Sequence, residues 1–214
     1  MLVSAHPPIL RVGQGVAERR ASLAARRAQV ERCVLQPYDP QAHGMDALLY
    51  FWARVEALGE HRRILGPWTE SPTRFVQTYS QAAEMMFLHE LGADWRNGHG
   101  LLAVVWADDV VWPCRARVSF WTAPAYRVPV LSKALGQHVL RYLFEARGFQ
   151  SLCGLIPVTN PLSVRLARRM GFRVISTWPG ACLDGDRVVD GVELRLVRTE
   201  WQAREPVDPT RNGA

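Results

Sequence analysis

A proline inside an apolar segment is the feature that most constrains how this chain folds. Residues 151–159 have the length and apolar character of a short strand, and Pro157 lies near its end. Because proline has no backbone N–H, it cannot donate to a sheet ladder and is out of place in a central strand. Pro157 therefore requires a position where no neighbouring strand pairs with its nitrogen side.

The segment after this strand is predicted to be a helix, and both helix ends are marked in the sequence. Asn160 is a good N-cap and Pro161 suits the first helical turn, while Gly171 is typical of a helix end. One apolar stripe connects the two ends and consists of Leu162, Leu166 and Met170. These signals predict a helix over residues 161–170.

The pattern upstream predicts strands first and then a second helix. Three apolar segments are separated by turn signals at Asn97-Gly98 and Asp108-Asp109, which is typical of an antiparallel meander. Apolar residues at helical spacing follow over residues 129–147, and Gly148-Phe149 closes that helix. The three predicted strands cover residues 84–91, 101–107 and 115–122.

The remaining elements complete a mixed α/β sheet with one parallel pair where a helix crosses over. Ahead of the meander we expect a short strand, an amphipathic segment interrupted near Gly59, and a helix with Ser71 as N-cap and Pro72 at its first position. A final strand pair surrounds a loop that contains Asp184-Gly185. The short strand is predicted over residues 34–37, the amphipathic segment over 45–64 and the helix over 72–81. The final strand pair covers residues 173–177 and 191–198.

Residues 15–32 are predicted to form a helix. This helix is basic, because its arginines outnumber its acidic residues. We expect a basic helical arm over residues 1–33, a main domain over 34–201 and a flexible tail over 202–214. The arm is either a solvated face or a surface that binds a protein partner. The net charge of +6 permits binding to nucleic acid or to an acidic partner without demonstrating either.

Several classes of protein are excluded by simple features of the sequence. No apolar run approaches the roughly 18–20 residues that a membrane helix needs, and no secretory signal is visible. A cytoplasmic location is therefore expected. The four cysteines are scattered without a CxxC pair, so we expect neither a metal site nor a disulfide framework.

Residues 160–172 (NPLSVRLARRMGF) resemble the signature N-x-x-S-x-x-L-x-x-x-x-G-F of the GNAT acetyltransferase superfamily. The resemblance extends over about residues 84–201, and the Ile-Pro-x-x-Asn stretch at 156–160 also resembles acetyltransferase-like proteins of bacteriophages, which would allow association with a virion. It implies the GNAT fold, an antiparallel meander followed by β-α-β-α-β-β. In that fold the central parallel strands splay apart, and the resemblance places Pro157 at the splay.

The resemblance implies acetyl-CoA as co-substrate and an amine as acceptor. The family binds the pyrophosphate with a glycine-rich loop before the long helix, but residues 125–133 (AYRVPVLSK) contain no glycine, so side chains would have to replace backbone donors. The residues expected to bind acetyl-CoA are Trp121, Thr122, Arg127, Val128, Ser132, Lys133, Asn160, Ser163 and Arg168.

The catalytic residues are not identified by the sequence. The tyrosine that often protonates the leaving thiolate in this family is replaced by Ala167, and the strand over 115–122 has no carboxylate or histidine. His89 and Glu90 are the nearest conventional candidates for a general base, although strand alternation sends their side chains to opposite faces.

Three functions are compatible with these features. The first is an acetyl-CoA-dependent N-acyltransferase that acts on a protein N-terminus, a lysine or a small amine. The second is a catalytically inactive GNAT-like scaffold or interaction protein of a phage or prophage, in which Val128 and Pro129 would fill the pyrophosphate position. The third is a nucleic-acid-binding protein, for which the basic cluster consists of Arg165, Arg168, Arg169 and Arg173.

Overall fold

The computed structural model describes residues 15–65, 71–80, 84–95 and 100–204. They form a seven-stranded sheet in the order β1-β2-β3-β4-β5-β7-β6. The strands are β1 (Cys33–Pro37), β2 (Glu84–Glu90), β3 (Leu101–Val111), β4 (Arg115–Thr122), β5 (Ser151–Pro157), β6 (Arg173–Asp184) and β7 (Arg187–Val197). The helices are α1 (Val16–Glu31), α2 (Pro40–His43), α3 (Asp46–Ala57), α4 (His61–Leu65), α5 (Pro72–Tyr79), α6 (Pro129–Arg141), α7 (Pro161–Met170) and α8 (Arg198–Gln202).

The sheet topology confirms the predicted fold class. Strands β1 to β4 form an antiparallel meander, β5 joins β4 in parallel, and β7 lies antiparallel between β5 and β6. The parallel pair arises because α6 connects β4 to β5 as a crossover, and such a connection returns the chain in the same direction.

Two apolar cores lie on the two faces of the sheet. The front face is covered by α3 and α5, whose Phe51 and Phe75 pack against Trp106 and Trp121 of the strands. The back face is covered by α6, α7 and α8, with Leu135 and Phe144 among the fully buried side chains of that core. Helices therefore cover both faces of the sheet, and on the front face they lie over β2 to β4.

The helix ends follow the predicted signals closely. The side-chain Oδ1 of Asn160 accepts from the Ser163 N–H at 3.2 Å, and Ser71 Oγ accepts from Arg74 N–H at 3.3 Å. Gly171 ends α7 with φ of 110°, a backbone conformation that glycine adopts without a Cβ clash. Both helix starts are therefore fixed by local hydrogen bonds.

The predicted strand ends needed correction in two places. The turn predicted at Asp108-Asp109 does not exist, because β3 continues to Val111 through a bulge in which Asp109 has a φ of 46°. The loop predicted between the last two strands is short, since β6 and β7 form a long hairpin around Gly185 and Asp186. Bulges admit the extra residues without ending the ladder, and alternation alone does not reveal them.

Other ends differ by a few residues or fall outside the described chain. The helix predicted over 129–147 consists of α6 followed by a π-helical turn, Tyr142–Ala146. The helix predicted over 72–81 ends at Tyr79. The turn at Asn97-Gly98 and the tail from residue 205 lie outside the described residues.

Helix α1 confirms the predicted N-terminal helix, and its C-terminal part packs on the back face. Val30 is 1% exposed within the back core, and the next element, β1, pairs with β2. The Arg27–Glu31 pair lies on its exposed side. The separate arm over residues 1–33 stays a prediction. No helix among the described residues is long and apolar enough to cross a membrane.

Replacement of Gly171 by alanine is expected to destabilise the protein by about 1–2 kcal/mol, because a Cβ is strained at positive φ. Chemical denaturation of the wild type and the variant measures the loss. Gly171→Asn is the matched control, since asparagine tolerates this backbone region better and both variants displace the nearby Arg204 side chain. Equal stability of Gly171→Ala and the wild type would contradict the assigned helix end.

Candidate functional site

The two parallel strands at the centre of the sheet pair briefly and then part. Their pairing ends where Arg117 lies opposite Cys153. Beyond that point residues 118–122 of β4 and 154–157 of β5, all of them described, share no strand pairing. We call the V-shaped space between these two segments the strand gap.

Pro157 lies at the parted end of β5, as predicted. The N–H of the next residue, Val158, donates to the carbonyl of Asp190 on the β7 side at 3.0 Å. Because successive N–H groups of a strand point to opposite edges, the nitrogen of Pro157 faces the strand gap. The missing donor therefore costs no ladder hydrogen bond.

The alternation of β4 directs backbone groups into the strand gap from the other side. The N–H of Ala123 donates to the carbonyl of Leu102 in β3 at 2.9 Å. By alternation, the N–H groups of Phe120 and Thr122 point away from β3 and towards the gap. Two backbone donors of β4 therefore face a space that β5 has left.

The strand gap is accessible although β4 and β5 are central strands. Of the seven residues of β5, Leu152 is the one that is fully buried, and Val118 and Phe120 of β4 are partly exposed. A Cβ on Gly154 would have the Val118 carbonyl oxygen, at 3.8 Å, as its one neighbour within 4 Å among the described residues. Alternation from the buried Leu152 places this open position on the back face of the sheet.

The turn between β4 and α6 uses most of its backbone donors internally. The N–H groups of Tyr126 and Arg127 donate to carbonyls at the start of the 3-10 turn Pro124–Tyr126, at 2.8 and 3.3 Å. The N–H groups of Leu131 and Ser132 both donate to the Val128 carbonyl at 2.9 Å. Proline at 124 and 129 supplies no N–H, so this turn is not a glycine-type cradle for phosphate.

Helix α1 holds this turn from outside. Arg26 Nη1 donates to the Ala125 carbonyl at 2.7 Å, and the Tyr126 hydroxyl donates to Gln29 Oε1 at 2.8 Å. Burial, with a further contribution from Glu90, raises the pKa of Tyr126, so this hydroxyl stays protonated and can donate. The N-terminal helix therefore fixes the conformation of the turn that leads into α6.

Arg127 is held by an acidic partner on the front side. Its guanidinium forms a two-point ion pair with Glu60, with Nη2 to Oε2 at 2.6 Å, and its Nε donates to the Thr122 carbonyl at 2.9 Å. Trp121 Nε1 donates to the same carboxylate at 3.2 Å. Burial opposes ionisation of Glu60, but the hydrogen bonds from Arg127 and Trp121 outweigh it and lower the pKa of the carboxyl. We call Glu60, Trp121 and Arg127 the Glu60 cluster.

The other predicted cofactor-binding residues of β4 and α6 do not converge on one point. The Trp121 indole is buried on the front face against Phe51, with ring centroids 5.3 Å apart, and by alternation the backbone N–H of Trp121 points to β3. Ser132 Oγ donates to the Tyr126 carbonyl at 2.9 Å. Lys133 lines a groove of about 410 Å³ between α1 and α6. A role in cofactor binding remains a prediction for each of them.

The first turn of α7 lies beside the parted end of β5. The Oδ1 of Asn160 accepts the hydrogen bond that caps the helix, and the backbone N–H of Asn160 donates to the Pro157 carbonyl at 2.9 Å. Ser163 is half-buried in the same turn. Arg168 lies in the last turn of α7, roughly 10 Å further along the helix axis. Asn160 and Ser163 are therefore brought next to the strand gap, whereas Arg168 is at the other end of the helix.

The two candidate bases of the sequence are far from the strand gap. His89 is 8% exposed on β2, two strands away from β4, where its Nε2 is 3.1 Å from Gln36 Oε1 and its ring stacks on Trp95. Glu90 is within 3.4 Å of Gln29 in α1. Ala167 is buried in the back core and has no proton to give. Both His89 and Glu90 therefore have structural partners in this fold.

A carboxylate that the sequence analysis missed lies on the front face near the gap. Glu193 of β7 pairs with Leu155 of β5, and its Oε2 accepts from the Ser176 hydroxyl at 2.7 Å and from Trp178 Nε1 at 2.9 Å. These two hydrogen bonds, with Arg195 adding a smaller effect, lower the pKa of Glu193. The alternation in GVELRLV was visible in the sequence, but only the strand order shows that Glu193 is one strand from the gap.

The comparisons with known proteins show the fold. No protein-family model and no curated protein sequence matches the chain. The chain is similar in structure to spermidine/spermine N-acetyltransferase SpeG of Vibrio cholerae in complex with manganese ions, with 14% identity over 83% of this chain and 99% of that chain, and a TM-score of 0.63. Two SpeG mutant forms from Vibrio cholerae give TM-scores of 0.65 and 0.64 at 14% and 16% identity, each over 81% of this chain and 98% of that chain. These solved structures are GNAT superfamily members, and this chain has the GNAT fold.

Replacement of Glu60 by glutamine is expected to destabilise the protein by about 1–2 kcal/mol, because two donors lose a charged acceptor. The free energy of unfolding at neutral pH measures the effect. Glu56→Gln, an exposed position on the preceding helix, is the matched control and should change stability little.

The stabilisation that Glu60 provides is expected to depend on pH. The folded state lowers the pKa of Glu60, so its stabilisation is present above the ordinary carboxyl pKa of 4.5 and is lost as the pH falls through the lower folded value. The wild type and Glu60→Gln should therefore converge in stability at acidic pH. A difference that is the same at every pH would contradict the charged interaction.

Proposed function

We propose that this protein is an acetyl-CoA-dependent N-acetyltransferase that acts on an amine. The observation that carries the proposal is the strand gap, which opens beyond Arg117 and Cys153 and is partly exposed to solvent. The fold is shared with spermidine N-acetyltransferases. A gap between two unpaired strand edges can accept an extended chain, because each edge offers free backbone hydrogen-bonding groups. Two further expectations stay predictions, namely a cytoplasmic location and a bacteriophage origin.

The residues around the gap are suited to an extended amide-containing chain such as the pantetheine arm. The N–H groups of Phe120 and Thr122 are the backbone donors on the β4 side, and Gly154 leaves space on the back face. Free backbone N–H groups on an unpaired strand edge bind the amide carbonyls of an extended ligand in the way that they would bind the carbonyls of an added strand. Acetyl-CoA, when bound, supplies the acetyl group as a thioester whose C–S bond breaks as the new C–N bond forms.

The phosphates of the cofactor require a different arrangement from the glycine-rich loop. The turn before α6 leaves the N–H groups of Val128 and Val130 at the helix N-terminus, where the helix dipole favours an anion. Asn160 and Ser163 lie on the other side of the gap, in the first turn of α7. This set fits a phosphate bound by two helix starts, with Arg127 remaining in the Glu60 cluster.

The acceptor amine approaches from the front face. An ammonium group must lose one proton to water before the lone pair of its nitrogen can attack the thioester carbonyl. The second proton, which the nitrogen loses as the amide forms, ends on the leaving sulfur. Ser119 is the front-face residue of β4 at the level of Leu155, and Glu193 is the nearby carboxylate. Because its pKa is lowered, Glu193 is a weak base and an effective anion, so it stabilises an ammonium group while water carries the proton.

The two alternative functions have less support. A scaffold with Val128 and Pro129 filling the cofactor position would close the gap, whereas Val118, Phe120 and most of β5 remain partly exposed. For nucleic acid, the arginines of α7 lie on its exposed side, but Arg173 is paired with Glu200. Salt-sensitive DNA binding without acetyl-CoA affinity would favour that third function.

Calorimetric titration with acetyl-CoA is the test of the proposed function. Binding with a dissociation constant in the micromolar range is expected, and transfer of acetyl to an amine should follow in a thiol-release assay. No heat at millimolar acetyl-CoA would contradict the proposal.

A valine at Gly154 tests the location of the cofactor. Gly154→Val fills the open space on the back face of β5, in a backbone conformation that valine adopts readily, so the fold should persist while acetyl-CoA binding weakens at least about tenfold, or about 1.4 kcal/mol. Cys153→Val, the neighbour whose side chain faces the front, should keep wild-type affinity for acetyl-CoA. Equal affinity in both variants would place the cofactor outside the gap.

A further inference from the structure

The front face of the sheet beyond the helical cover is a polar surface around Glu193. Helices α3 and α5 cover β2 to β4, whereas β7 and β6 present Arg195 and the 54%-exposed Trp178 to solvent. One bridge crosses from the helical side, where Arg62 Nη1 is 2.8 Å from Asp186 Oδ1 at the tip of the β6–β7 hairpin. The surface between this bridge and the strand gap is where an acceptor has to lie if the proposed function is right.

Three carboxylates around this surface are already paired with arginines. The pairs are Asp108–Arg117, Asp109–Arg115 and Asp186–Arg62. Glu193 differs from them, because its hydrogen bonds come from Ser176 and Trp178, and within the described part of the chain no salt bridge neutralises it. It is therefore an available anion next to the gap.

Arg195 is the complementary available cation. It follows Glu193 by two residues on the same face of β7, which separates their Cα atoms by about 6.6 Å. It lies opposite Cys153 in the register, level with the end of the paired part of β4 and β5. Among the described residues it forms no salt bridge, and its charge acts on Glu193 and Cys153. One anion and one cation are thus presented side by side along β7.

This charge pattern does not suit a polyamine. A polyamine carries several positive charges, and each bound charge requires a carboxylate or an aromatic face near it. Here Glu193 and Arg195 lie two residues apart on one face of β7, so Arg195 would repel an ammonium group bound next to the one at Glu193. The same two residues are complementary to a molecule with an amine at one end and an acid a few ångströms away.

We propose that the acceptor is an amine with a carboxylate group nearby, held by Glu193 at the amine and by Arg195 at the acid. This inference rests on the proposed function, since it names the acceptor of the same site. Two sources share the chemistry, namely the N-terminus of an acidic peptide and a free acidic amino acid. The exposed Trp178 ring borders the site and packs against the apolar part of either one.

The experiment measures kcat/KM at fixed acetyl-CoA for four kinds of acceptor. These are peptides that begin Ser-Asp-Glu, otherwise identical peptides that begin Ser-Arg-Arg, free aspartate or glutamate, and spermidine. The acidic peptide or the acidic amino acid is expected to exceed both the basic peptide and spermidine by about tenfold or more. The better of the two acidic acceptors identifies the source.

Charge reversal at Arg195 links the preference to the site. Arg195→Glu should lower kcat/KM for the acidic acceptor by about five- to tenfold and raise it for the basic peptide. Arg187→Glu is the matched control, because it makes the same charge change at an exposed position of the same strand near the hairpin turn. Glu193→Gln should raise KM for every amine, whereas a merely structural role would lower thermal stability and leave KM unchanged.

The outcomes separate failure of this inference from failure of the proposed function. Turnover with spermidine or the basic peptide as the best acceptor would overturn the inference and leave the proposed function intact. An equal effect of Arg195→Glu and Arg187→Glu would overturn it as well. Absence of acetyl-CoA binding in the titration would overturn both.

Discussion

The parting of β4 and β5 is the constraint on which the rest of the structure depends. A seven-stranded sheet would ordinarily pair both central strands along their length, but here pairing stops at Arg117 and Cys153. Proline at 157 removes a donor that pairing would have needed, and Gly154 removes a side chain that would have filled the space. The two residues together keep open a gap that apolar burial would otherwise close.

A second constraint connects this gap to the helices around it. The turn before α6 has no glycine, and it is fixed from the back by α1 and from the front by Glu60. In this protein the conformation of the turn therefore depends on tertiary ion pairs and hydrogen bonds that connect segments far apart in sequence, whereas a glycine-rich loop depends on its own backbone freedom. Arg127 is held by Glu60 through a two-point ion pair. The phosphate site that we propose therefore relies on the backbone at the helix starts.

Local sequence signals predicted some of these elements well, but they could not predict the contacts between segments that are distant in sequence. Helix α7 was predictable to its last residue because Asn160 and Gly171 act on their immediate neighbours. The end of β3 was not, since the bulge at Asp109 lets two aspartates stay within a strand. No sequence pattern indicates the ion pair between Glu60 and Arg127, which are 67 residues apart, or the position of Glu193 beside the gap. Both depend on which strands and helices become neighbours.

Backbone hydrogen exchange in the central strands is the most direct test of this account. The amide of Phe120 faces the strand gap, whereas the amide of Ile156 faces β7 and is paired there. The account predicts fast exchange at Phe120 in the free protein, slow exchange at Ile156, and protection of Phe120 when acetyl-CoA is added. Slow exchange at Phe120 in the free protein, unchanged by acetyl-CoA, would mean that the strands are closed and would contradict the central claim.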